Sequence, residues 1–163
     1  CELTIVIGKT AKGVSEAEAL KYVAGYTIIN DISDRKYRPN PDRKERPKDT
    51  FFDWMHGKWH DGFCPVGPAI TSAKALPNPQ ALDLRLTVNG EERQHSNTER
   101  MIFPVAAIVA FISSWVTLEP GDIIATGTCE GIGMASGKLL RNGDVVEATI
   151  EGIGTLRNTM VAE

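Results

Sequence analysis

Between Leu82 and Val88 every second residue is aliphatic, and the run ends on Asn89-Gly90. Period-two alternation is the mark of a strand with one buried face, and Asn-Gly is the strongest short signal for a two-residue hairpin. The return strand begins at Glu91 and is expected to run to Gln94. This hairpin confines the chain to folds built on antiparallel pairing over a one-sided core. Other segments agree. Glu2 to Gly8 is rich in β-branched residues, Val23 to Ile29 is a continuous apolar run, and Val145 to Ile150 alternates again. Further strands are expected at Ala69–Thr71, Ile123–Thr126 and Leu156–Val161, with Pro65 to Pro68 read as a turn.

Helical signals are fewer. Ser15 followed by Glu18 fits a capping box, which predicts a helix from Glu16 to Val23 that stops at Gly25. Pro104 suits a first helical turn, and Val105, Ile108, Ile112 and Val116 recur at helical spacing, predicting a core stripe. The expected class is therefore mostly β with a few short helices.

With 163 residues the chain has the length of one domain, here 1–163. Its net charge of −3 gives no basic footprint for nucleic acid. The longest apolar stretch, Val105 to Val116, is interrupted by Ser113 and Ser114 and is too short to span a bilayer. Cys1, Cys64 and Cys129 are too few and too scattered for a disulfide framework or a Cys-x-x-Cys zinc site, so a reducing, cytoplasmic compartment is expected. The chain opens on Cys1 rather than Met, in what reads as mid-strand, which predicts sequence upstream.

The chemistry concentrates at Asn30-Asp31-Ile32-Ser33-Asp34-Arg35. A carboxylate directly after a buried strand combines fixed geometry with solvent access, a suitable place for a hard cation that takes oxygen donors. Asp31 read alone is equally a turn or helix cap. Arg35 and Lys58 offer positive charge to an anionic substrate, although Lys58 read alone is a solvated lysine. Arg35 to Asp49 is a charged, proline-punctuated loop, either a solvated excursion or a basic rim that attracts anions. Phe51 to Phe63 holds five aromatics, His56, His60 and Lys58, which reads as one wall of a pocket or as packed and rim groups. The loop Gly127-Thr128 to Gly133 departs from the G-x-G-x-x-G pattern; its use would be backbone N–H groups aimed at an anion.

Taken in order, several blocks resemble the C-terminal catalytic domain of the fumarylacetoacetate hydrolase family. They are Glu2 to Lys9, Gly25 to Ser33, Gly57-Lys58 with Asp61 to Pro68, Val88 to Glu91, Met101 to Phe103, Leu118 to Thr128 and Glu151 to Gly154. The resemblance covers nearly the whole chain. It implies a mixed β-roll or β-sandwich and a divalent metal, usually Mg2+ with Mn2+ or Ca2+ as substitutes, held by three carboxylates. Glu2 matches the second Glu of the family's Glu-x-Glu motif and Asp31 the Asp of its Asn-Asp block. The first Glu would precede Cys1, and the family's His–Glu lid also lies upstream. Lys58, Arg35 and Thr128, with Gly127 beside it, match the family's substrate-facing and catalytic positions. The chain departs from the family at Asp34-Arg35-Lys36 and Arg38, and in an insertion before Gly57, both where substrate is chosen.

The implied activity is hydrolysis of a C–C bond in a 2,4-diketo acid, an acylpyruvate or fumarylacetoacetate-like substrate, through a metal-bound enolate. That chemistry belongs to the catabolism of aromatic compounds. The same site serves decarboxylation or tautomerisation of a short 2-oxo dicarboxylic acid such as oxaloacetate. A chain that truly began at Cys1 would be a non-catalytic binding module. The implied partners are a small keto acid and a second copy of the chain in a homodimer, with neither nucleic acid nor membrane.

Overall fold

A computed structural model describes residues 1–162. Eight strands form two antiparallel sheets. The first has the order β3 (Val66–Ser72), β2 (Val23–Ile29), β1 (Glu2–Ile7), β6 (Ile123–Ala125). The second has the order β5 (Glu91–Asn97), β4 (Asp83–Val88), β7 (Val145–Ile150), β8 (Gly154–Thr159). The mostly β expectation holds, in sandwich form. β2 touches β7 and β8, and β3 touches β8. Leu3, Ile5, Ile7, Tyr26 and Ile28 of the first sheet share one core with Leu84, Leu86, Val88, Val146, Ala148, Ile150 and Leu156 of the second.

The predicted hairpin forms as expected. Asn89 and Gly90 have φ of 52° and 80°, the left-handed pair that a two-residue type I′ turn needs. The return strand is longer than predicted, reaching Asn97. β3 absorbs Val66 to Pro68, which were read as a turn. The last strand starts at Gly154, earlier than Leu156.

The helices depart further from expectation. α1 (Glu16–Ala19) is a single turn continued by a 3-10 turn at Leu20–Tyr22. The Ser15 side chain makes no capping bond: the Glu18 N–H donates to the Ser15 carbonyl at 3.1 Å, and the Glu18 carboxylate pairs with Lys21 at 2.6 Å. Gly25 lies inside β2 rather than ending a helix. A second helix, α2 (Asp49–His56), was not foreseen. α3 (Val105–Trp115) has Pro104 at its cap rather than in its first turn. Its buried line is Val105, Val109 and Ser113, whereas Val116 is exposed. A four-residue α4 (Gly133–Ser136) opens after the glycine-rich loop.

The strand register sets up the site. β1 is buried along its whole length between β2 and β6. Alternation puts Leu3, Ile5 and Ile7 in the core and turns Glu2, Thr4 and Val6 to the other face. Glu2 pairs with Ile29, so Asp31 follows two residues beyond, at the same end of the sheet.

Candidate active site

At the end of β1 and β2 the sheet brings a buried carboxylate beside an exposed one. Glu2 is only 6% exposed, and its Oε2 accepts from the Gly127 N–H at 2.8 Å. Burial pushes its carboxyl above the ordinary range. The Gly127 N–H opposes that, the charge of Asp31 reinforces it and Lys58 opposes it. The influence of Asp31 and Lys58 on Glu2 places the three groups in one electrostatic unit.

Asp31 is held by local stitching. Asn30 N–H donates to the Pro65 carbonyl at 3.2 Å, and Asp34 N–H donates to the Gly57 carbonyl at 2.8 Å. The second bond ties the Asp31–Asp34 turn to the end of α2. Gly57 is required there, since a Cβ would lie 2.2 Å from the Asp34 oxygen. The next residue, Lys58, directs its ammonium onto Asp31 Oδ2. The same ammonium lies 5.4 Å from the centroid of the Trp54 ring, which attracts it through the ring's negative face.

The segment before Lys58 carries a polar clamp. α2 buries Asp49 and Asp53 and exposes Phe51, Phe52 and Trp54, the reverse of an ordinary amphipathic helix. Arg43 donates to both oxygens of Asp53 at 2.8 and 2.7 Å and to Asp49 at 3.1 Å. Arg38 reaches Asp53 at 3.4 Å, and Arg46 reaches Asp49 at 3.1 Å. Three arginines of the expected basic rim are therefore spent on two aspartates. His60 packs edge-on to Tyr37 with centroids 4.6 Å apart, and His56 packs on Trp59 at 5.3 Å.

On the far side of Glu2 lies the loop after β6. Thr128 is exposed, and its hydroxyl donates to the Cys1 carbonyl at 3.0 Å and accepts from the Gln94 amide at 2.9 Å. Gln94 was not singled out by sequence, because a glutamine in a return strand carries no signal of burial. Cys64 is also near the site: burial first, then the charges of Asp31 and Glu2, push its thiol up. Arg35 is exposed and makes no ion pair among the described residues. Of the sequence-derived candidates, Glu2, Asp31, Lys58, Gly127 and Thr128 thus gather at one end of the first sheet.

Two hard carboxylates at one end of the sheet, that of Asp31 open to solvent, suit a divalent cation such as Mg2+, which is commonly held by one or two carboxylates while substrate oxygens and water complete its shell. The attraction of the Lys58 ammonium to Asp31 shows that this position draws positive charge. Among the described residues no group of three or more His, Cys, Asp or Glu is arranged to hold a metal.

This fold has relatives. The chain matches the family described as fumarylacetoacetate (FAA) hydrolase C-terminal over residues 1–161, and it belongs to that family. It is 45% identical over 161 residues to 2,4-didehydro-3-deoxy-L-rhamnonate hydrolase of Sphingomonas sp. (strain SKA58), covering 96% of this chain and 53% of that protein. Among solved structures it is similar to 2-hydroxyhepta-2,4-diene-1,7-dioate isomerase from Mycobacterium marinum. There the identity is 45% and the TM-score 0.83, over 98% of this chain and 56% of the other. It is also similar to maleylpyruvate hydrolase from Sphingobium sp. SYK-6, solved with manganese(II) and pyruvate. That match has 35% identity and a TM-score of 0.82, over 98% and 52% of the two chains. The chain spans about half the length of these relatives. No helix among the described residues is long and apolar enough to cross a membrane.

Proposed function

We propose that this chain carries the active site of a divalent-cation-dependent hydrolase that cleaves a C–C bond in a 2,4-diketo acid of the acylpyruvate type. The observation that carries the reading is the convergence of Glu2 and Asp31, with Lys58 on Asp31 and the Gly127 N–H on Glu2. The maleylpyruvate hydrolase solved with manganese(II) and pyruvate supports both a divalent metal and a 2-oxo acid.

Glu2 and Asp31 hold the cation, which when bound supplies Lewis acidity to the adjacent oxygens of the keto acid. Lys58 places a fixed positive charge where negative charge develops. Gly127 and Thr128 face the substrate carboxylate, and Arg35 adds positive charge at the rim. In hydrolysis, water adds to the distal carbonyl and the C–C bond breaks. Its electron pair stays with the pyruvate half, which leaves as an enolate and is then protonated, while the other half leaves as a carboxylic acid.

A second reading is isomerisation or decarboxylation of a short 2-oxo dicarboxylic acid, favoured by the 45% identity to a dienedioate isomerase. Measuring loss of an acylpyruvate and of oxaloacetate with Mg2+, with and without chelator, separates the two. Chelator-sensitive acylpyruvate cleavage to pyruvate is expected. Turnover of oxaloacetate alone would favour the second reading, and turnover of neither would sink both.

The protein is further proposed to act as a homodimer. Phe111 and Trp115, one turn apart on α3, are 68% and 63% exposed, which suits contact with a second copy. Light scattering at micromolar concentration tests this; a monomeric mass would refute it.

A further inference from the structure

We infer that Gln94 is a positioning residue of the site proposed above, locking the Gly127–Glu130 loop to the strand end that carries Glu2. The inference rests on that functional reading. Gln94 comes from β5 of the opposite sheet, yet its side chain reaches across to the site and is 5% exposed. Its Nε2 donates to Thr128 Oγ1 at 2.9 Å, to the Cys129 carbonyl at 3.1 Å and to the Glu130 carbonyl at 3.2 Å. Its Oε1 accepts from the Cys1 nitrogen at 2.8 Å. The Thr128 hydroxyl closes the circuit by donating to the Cys1 carbonyl at 3.0 Å.

Cys1, Gln94 and Thr128 therefore form a ring of three hydrogen bonds, each partner both donating and accepting. The amide has two protons for three oxygens, so no other orientation serves the loop. With the oxygen and nitrogen exchanged, the amide oxygen would face the Cys129 and Glu130 carbonyls and the amide N–H groups would face the Cys1 nitrogen, a donor. Two functional groups hang on this ring. Glu2 is the next residue after Cys1, and Gly127, whose N–H binds Glu2, is the residue before Thr128. Gln94 touches neither the metal position nor the substrate position. It fixes the spacing between the carboxylate that binds the cation and the loop offered to the substrate carboxylate. A substrate that must satisfy both at once depends on that spacing.

The test uses Gln94→Met, which keeps the volume and removes every hydrogen bond. The variant is expected to melt cooperatively and to bind Mg2+ as the wild type does, because the Gly127–Glu2 bond does not pass through Gln94. KM for an acylpyruvate, and the Kd of oxalate at saturating Mg2+, are expected to rise about tenfold or more, with a smaller fall in kcat. Thr128→Val cuts the same ring from the other side. If Gln94 acts through Thr128, the double variant loses less oxalate affinity than the two single losses sum to. A folded Gln94→Met protein with wild-type KM and oxalate affinity overturns the inference, as do fully additive losses. Should Gln94→Met fail to fold, Gln94→Glu keeps the acceptor for Cys1 but turns a carboxylate toward three oxygens, and the same readouts apply. Wild-type protein that neither turns over an acylpyruvate nor binds oxalate with Mg2+ overturns the proposed function itself, in an arm read before any variant.

Discussion

Asp31 and Lys58 illustrate how one residue's role is set by its neighbours. Asp31 is exposed and makes few structural bonds, so its removal should leave the fold alone; surface substitutions away from caps and cores are usually within about 0.5 kcal/mol. Asp31→Ala is expected to abolish Mg2+-dependent turnover while the thermal midpoint stays within a few degrees of the wild type, checked by assay and calorimetry. Retained turnover would refute the ligand role. Lys58 is different, because its ammonium competes for the oxygen that the cation also needs. Lys58→Met should therefore retain or tighten Mg2+ binding measured by calorimetry. Its kcat should fall about 100- to 1000-fold, the loss that accompanies removal of one stabilising group at a developing charge. Weakened Mg2+ binding in that variant would mean that Lys58 organises Asp31 instead of rivalling the metal.

At the scale of elements, α2 and the loop before it behave as one clamped unit. Asp49 and Asp53 sit one turn apart on the buried side, and Arg43 holds both. Burial pushes the Asp49 carboxyl up. The Arg46 backbone N–H and the Arg46 and Arg43 guanidiniums outweigh that and hold it below its usual value. A depressed carboxyl contributes stability above its unfolded value, about 3.9, and loses it as pH falls through the lower folded value. The clamp should therefore stay closed from neutral pH to about pH 4 and open only below that, followed by tryptophan fluorescence from Trp54 and Trp59. Arg43→Met should open it at higher pH and speed tryptic cleavage after the exposed Lys44. Unchanged acid and protease profiles would show that the clamp does not hold the loop. This unit was hidden from periodicity, because its inward face is acidic and its outward face aromatic. The loop's arginines looked available for a substrate until their partners were known.

Across the whole molecule, the two sheets share a core to which most strands contribute alternate residues. Ile28 and Ile5 are fully buried at the middle of the first sheet. Ile28→Ala should cost about 2–5 kcal/mol in urea unfolding, the range for a large-to-small change where neighbours cannot collapse. A loss under about 1 kcal/mol would mean that the core is looser than its burial implies. The strands were readable because each carries its own evidence: Leu82 to Val88 and Val145 to Ile150 alternate, and Asn89-Gly90 admits a hairpin turn. The helices were read less well. Ser15 and Glu18 had the letters of a capping box, but Lys21 offered Glu18 a charged partner. In α3 small Val105, Val109 and Ser113 face inward, whereas the larger Phe111 and Trp115 do not.

The placing of most strands along the chain, the turn at Asn89-Gly90 and Asp31 as a candidate ligand were determined by the sequence alone, since local pattern and residue chemistry suffice for them, while Glu2 followed from the resemblance to a family. Only the tertiary structure decided that Gln94 spans from one sheet to the loop beside Glu2, that Arg43 neutralises Asp49 and Asp53, and that Gly57 brings Lys58 onto Asp31. Each of these depends on which distant segments share space, and a hydrogen bond or ion pair between residues far apart in the chain leaves no periodic trace in either partner.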